Sequence, residues 1–341
     1  FMKGQYFLLI SFFITSCTVN TISQTKLNDT YSMKSLLIAS WGESQAEIIP
    51  TYVSSGLAFE ITPTTKLAPI LFELNDNKIY IIDASFKFLN IFDQNTFIQR
   101  IDLTSVITNN TIKSFKVLNR KEYVFVVTDE ESTYKLIHWN FKTKETYTIV
   151  LGSSYRKAEL VPSFDKNSIY YWTEKEDYTG ILWQFSIDNL RKAPIKFEQF
   201  NFIYSRLFER KGKLMGVKYF NELNRRGLIS VDLETEGVQE KVCSKELYGP
   251  LICPFGINQA GDLFTYDSPE EDQVYGTIFK INQDGILQEN KSFNSLMSAT
   301  FPDRSNTLLT PTQNWKVLPD GTIVLAVMTE KEVHIIALES Q

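Results

Sequence analysis

Two histidines and three cysteines are all that 341 residues supply of the side chains most used for metal ligation and nucleophilic triads. A catalytic zinc site needs three protein ligands close together, so metal chemistry is disfavoured from the start, and no cofactor is expected. There is no Gly-x-Ser-x-Gly elbow, Walker loop, dinucleotide fingerprint or EF-hand spacing, and enzymatic activity is not expected. Basic residues are outnumbered too: 35 Lys and Arg against 40 Asp and Glu leave a formal charge of −5. A non-specific nucleic-acid binder would need the reverse balance to displace counterions, so no nucleic-acid partner is expected. Only 15 Gly and 11 Pro, with 43% hydrophobic and 13% aromatic residues, exclude a disordered or low-complexity chain.

Hydrophobic runs are short. The longest near the start is Tyr6–Ile14, behind Lys3. Nine mostly apolar residues are too few to cross ~30 Å of hydrocarbon, which takes about 20, but they suit the core of a secretory signal. The run is followed by Ile14-Thr15-Ser16-Cys17. This tetrapeptide resembles the lipobox of bacterial lipoproteins, which implies cleavage before Cys17 and diacylation of its thiol. The alternative is an ordinary signal peptide with an incidental cysteine. Thr18 rather than Asp at the next position implies, through the same resemblance, delivery to the outer membrane, with the periplasmic or surface face left open. Residues 1–16 are thus read as a signal, 17–33 as a lipidated polar tether, and 34–341 as the folded domain.

The rest reads as strand throughout: Val, Ile, Thr, Tyr and Phe alternate with polar residues between Asn, Asp and Gly punctuation. Strand-like runs begin at Leu36, Ile79, Val124, Ile169, Leu214, Leu263 and Ile323, at gaps of 43, 45, 45, 45, 49 and 60 residues. Four-stranded units at this period predict an all-β fold, a β-propeller with every sheet packed face to face on its neighbours. Seven recurrent runs predict seven blades of four antiparallel strands; the alternative is six, with N-terminal strands completing the ring and Gly56–Ile61 as the closing strand. The unit from Ile79 to Leu103 resembles a blade of the YncE/NHL group of propellers. Residues 294–312 are expected to be an irregular insertion.

Among individual residues, Cys243 and Cys253 are candidates for a disulfide closing a short loop, with two buried thiols as the alternative. His138 and His334 fall in alternating strand positions and are expected to be packed side chains. The acidic turns at residues 129–131, 174–177, 270–272 and 330–332 are expected to be solvated hairpins. Lys116, Arg206 and Lys316 fall in nearly the same column when counted back from the central strands, where other blades have Phe72 or Pro162. On innermost strands they would face one axial channel and form a basic pocket for an anionic ligand. Arg156, Lys157, Arg225 and Arg226 in flanking loops, with Trp172 and Tyr204, would add charge and stacking surface for an anionic or aromatic small molecule.

The segment Leu36–Thr62 and the lipobox loosely resemble propeller lipoproteins encoded beside TonB-dependent receptors. That resemblance implies capture of a small-molecule ligand, a ferric siderophore in the members that bind one, for an outer-membrane receptor partner. A protein-assembly scaffold in the outer membrane is the second expectation, and a propeller lyase or lactonase the weakest.

Overall fold

The structure, a computed structural model, describes residues 31–42, 47–48 and 70–340, apart from short stretches at 84, 154, 156, 166, 177–178, 190–193, 202–205, 221–224, 244–252, 268–275, 303–306 and 310–314. Its strands form six antiparallel sheets in ring order. Blade 1 consists of β2 (Leu71–Asn75), β3 (Lys78–Ile82), β4 (Phe88–Asp93) and β5 (Thr96–Asp102). Blade 2 consists of β6 (Thr111–Asn119), β7 (Glu122–Thr128), β8 (Tyr134–Asn140) and β9 (Thr146–Gly152). Blade 3 runs through β10 (Lys157–Val161), β11 (Ser168–Glu174), β12 (Thr179–Ser186) and β13 (Ile195–Asn201). Blade 4 contains β14 (Phe208–Arg210), β15 (Lys213–Phe220), β16 (Arg225–Asp232) and β17 (Val238–Val242). Blade 5 contains β18 (Cys253–Ile257), β19 (Leu263–Asp267), β20 (Thr277–Ile281) and β21 (Leu287–Ser292).

Blade 6 is built from both ends of the domain. Two short segments, β22 (Thr307–Leu309) and β23 (Trp315–Val317), share the inner edge of β24 (Ile323–Thr329), which pairs with β25 (Glu332–Ser340). The outermost place is taken by β1 (Tyr31–Ser40), antiparallel to β25 from Tyr31↔Ser340 to Ser40↔Glu332. The strand therefore takes in the last three residues of the segment read as tether.

This closure corrects the expected blade count from seven to six. The runs at Ile79, Val124, Ile169, Leu214, Leu263 and Ile323 are all on central strands, but the run at Leu36 is an outer strand borrowed by the last blade. Its spacing mimics the repeat although it starts no unit of its own. Gly56–Ile61 lies outside the described residues, and its expected place beside β25 is occupied by β1. The insertion near residues 294–312 contains a short helix, α1 (Asn294–Thr300), and β22.

The period of two explains why such apolar strands stay in a sheet. On β7, Tyr123, Phe125 and Val127 pack towards blade 1, while Val124 and Val126 pack towards blade 3. On β24, Ile323, Leu325 and Val327 face blade 5, and Val324, Ala326 and Met328 face blade 1. Each central strand thus contributes to two of the six inter-blade cores, and each fully buried side chain contributes roughly 1.5–3 kcal/mol relative to exposure. The outer strands show the opposite composition: β17 is exposed along its length. Tight hairpins set the inner register. Asp76 (φ 49°) and Asn77 (φ 60°) make a two-residue turn with both central residues left-handed, which suits the twist of the strands it joins.

Candidate functional site

The innermost strands converge on an axial cavity of about 640 Å³, lined by residues of β2, β6, β10, β14, β18 and β23. Lys116, Arg206 and Lys316 all line it. Lys116 is registered with Val124 and Lys316 with Val324, and the same level in blade 1 is Glu73, opposite Tyr80. Counting along the sequence placed Phe72 at that level; the two-residue turn at Asp76–Asn77 makes it Glu73. Arg206 enters from the segment two residues ahead of β14, beside Leu207, which is buried between blades 3 and 4.

The lining is not basic. Among the described residues Lys113, Lys116, Lys157, Arg206 and Lys316 are matched by Glu73, Asp76, Glu159, Asp165 and Glu209, five of each sign. The expected cationic pocket is corrected to a charge-balanced channel, because a column count of cations passes over the carboxylates that share their strands, such as Glu159 beside Lys157, or face them from the next blade, such as Glu73 beside Lys316.

Most of these groups have partners. Lys316 Nζ lies 3.0 Å from Glu73, an ion pair that joins blade 6 to blade 1 at the channel wall, and it also sits 5.5 Å from the centre of the Phe72 ring. Lys157 Nζ lies 2.8 Å from Glu159. Glu209, only 1% exposed, accepts hydrogen bonds from the Ser163 hydroxyl and, at 2.8 Å, from the Gly212 N–H. The Glu209 N–H donates to Pro162 O, so this residue links blades 3 and 4. Asp165 accepts from the Tyr170 hydroxyl at 3.3 Å.

Lys116 differs. Its Nζ is shielded from solvent and has no hydrogen-bond partner among the described residues. Burial pushes its pKa below the ordinary lysine range, against the pull of Glu73, Asp165 and Glu209, with Lys316 adding to the fall. Burial also lowers the pKa of Arg206, opposed by Glu159 and Glu73, but a guanidinium starts so high that it stays charged. Among the described residues Lys116 is therefore a charged donor in want of an acceptor, in a lining where Glu73, Glu159, Asp165 and Glu209 are engaged elsewhere.

The remaining candidates are dispersed. Trp172 is 0% exposed on the central strand β11, within the core between blades 3 and 4, where its ring lies over Gly180. It is core and not a stacking surface, since a central strand has sheet on both faces. Arg225 and Arg226 open β16, the third strand of blade 4, registered with Phe220 and Tyr219. Arg156 and Tyr204 lie outside the described residues, as do Cys17 and the side chain of Cys253. Cys243 is buried between blades 4 and 5.

His138 and His334 are on the third strands β8 and β25, beside Glu122 (4.0 Å) and Glu332 (3.2 Å). Asp129 caps its own turn, accepting from the Glu131 and Thr133 N–H groups and pairing with Lys135 at 2.8 Å, as a solvated hairpin should. Among the described residues no group of three or more His, Cys, Asp or Glu is arranged to hold a metal ion, and no helix is long and apolar enough to cross a membrane.

No family model matches the chain, and no curated protein matches it. Solved structures do. Kluyveromyces lactis Hsv2 is 16% identical with a TM-score of 0.45, over 76% of this chain and 71% of that one. The β-propeller domain of the Trilobed protease from Pyrococcus furiosus is 13% identical with a TM-score of 0.45, over 78% and 80%. TolB from Acinetobacter baumannii is 8% identical with a TM-score of 0.44, over 78% and 63%. The chain is similar to each of these in outline, and its own six sheets establish that it is a six-bladed β-propeller.

Proposed function

We propose that this chain is a lipid-anchored binding protein of the bacterial cell envelope, not an enzyme, that seats the anionic group of a small molecule on Lys116 in the axial channel and presents the molecule to an outer-membrane receptor. The observation that carries this reading is the Lys116 amine: shielded, without a hydrogen-bond partner among the described residues, and on a side chain that lines a cavity large enough for a small ligand. A buried donor left unpaired costs free energy that a ligand carboxylate or phosphate would recover. Aromatic rings behind the charges, Phe72, Phe115 and Phe208 among them, supply apolar wall for the body of the ligand. A ferric siderophore, usually a large anion, finds no excess positive potential in a lining of balanced charge.

The test is calorimetric titration of the intact chain and of Lys116→Met with benzoate, which couples one carboxylate to one ring. Saturable binding that weakens at least about tenfold in the variant is expected. Binding should also take up protons, because an anion beside Lys116 raises the amine's pKa from its lowered free value. Affinity should therefore fall as pH rises above that free value. Equal affinity of the two proteins, or no saturable binding, would remove the basis of the reading.

A further inference from the structure

A second cavity, of about 430 Å³, opens between blades 4 and 5, and its charge is one-sided. Among the described residues Arg210, Lys211, Lys213 and Lys241 line it against a single carboxylate, Asp284. That is a local charge of +3 on a chain of formal charge −5.

The register explains how the cations meet. Met215, Ser230 and Gln239 are paired across β15, β16 and β17, and Leu228 is paired with Lys241 one rung along. Strand alternation puts Gln239 and Lys241 on one face, above an apolar floor of Met215 and Leu228. The β14–β15 turn, with Lys211 (φ 51°) and Gly212 (φ 74°) both left-handed, brings Lys211 to the same opening. Arg210 crosses to blade 5, where its Nε donates to Gln259 O at 2.7 Å and its guanidinium lies against Gly261. A side chain at Gly261, whose φ is 93°, would displace it. Gln283 is held by Ala260 O at 2.5 Å, and Lys241 pairs with Asp284. Asp232, which Lys213 influences electrostatically, is occupied by the Glu234 and Thr235 N–H groups. Both walls are therefore fixed, while Lys211 and Lys213 are exposed.

We infer that this cleft is a second binding site, for a small molecule or headgroup bearing a phosphate. A monocarboxylate would leave most of the local charge uncompensated. A phosphate monoester brings close to two charges and three acceptor oxygens to a guanidinium, three ammoniums and the neutral donors Ser230, Gln239 and Gln283. The site is independent of the axial channel.

The experiment titrates inorganic phosphate into the intact chain, followed by phosphorus NMR line width, in parallel with acetate. Saturable phosphate binding, at least about tenfold tighter than acetate, is expected. It should weaken by about tenfold or more in Lys211→Asn/Lys213→Gln and in Lys241→Gln, and stay unchanged in Lys142→Gln, an exposed lysine after β8 that lines neither cavity. Co-sedimentation with phosphatidylcholine vesicles containing phosphatidic acid, reversed by inorganic phosphate, would identify a lipid headgroup as the source. Phosphate binding without sedimentation would identify a soluble ligand. Absent saturation, equal binding of acetate, or undiminished binding in folded cleft variants would overturn the assignment. Loss of phosphate binding in Lys116→Met would instead assign it to the channel.

Discussion

The placement of β1 as the outer strand of the last blade can be tested by comparing two neighbouring residues. Leu37 is 0% exposed, registered with Ile335 and packed among Val324, Ala326, Ile79 and Ile81. Ile38, one residue on, is 46% exposed. Leu37→Ala removes three carbons from a filled core. The transfer loss is about 2.4 kcal/mol at ~0.8 kcal/mol per carbon, and the cavity left behind brings the total to roughly 3–5 kcal/mol. Ile38→Ala removes a largely solvated side chain and should cost about 0.5 kcal/mol or a little more. The assay is urea unfolding followed by tryptophan fluorescence, with the free energy of the first transition compared among wild type and both variants. A several-fold difference between the two substitutions is expected. Similar costs would mean that β1 is not docked in blade 6. A larger cost at Ile38 would mean that the strand is shifted by one residue, since a single step exchanges its two faces.

The Lys316–Glu73 pair should behave as a clasp between the first and last blades. With both side chains 22% exposed, Lys316→Met is expected to cost only about 1–2 kcal/mol in the same urea assay, and the double variant with Glu73→Met to recover most of it. The histidines predict a pH dependence. Burial holds both His138 and His334 below the ordinary 6.5, despite the opposing pull of Glu122 and Glu332. A depressed folded value stabilises the chain above pH 6.5, and that contribution is lost as pH falls through the folded value. Stability measured by urea midpoints should decline below about pH 6.5, and His138→Gln/His334→Gln should flatten the decline. An unchanged slope in the double variant would refute the sign.

The alternation of Tyr123, Val124, Phe125, Val126 and Val127 was enough to specify sheet covered on both faces, and the near-constant spacing of central strands was enough to specify a propeller. Periodicity is local, and it survives any change in how blades are joined. It also brought Lys116, Arg206 and Lys316 to one channel, because inner strands face an axis whatever their number.

What the ring did with its ends was a tertiary decision. The run at Leu36 has the same composition as a central strand, and pairing with β25 rather than with its own sequence neighbours made it an outer one. The same holds for charge. Glu73 stands opposite Lys316 only because the first blade closes against the last, across 243 residues of sequence. Trp172, an aromatic that sequence reasoning placed at the site, was drawn into the core by its central strand. Composition and period determined the wedge-shaped units; which charges face one another, and which amine is left without a partner among the described residues, depended on contacts between units, which no single stretch of chain encodes.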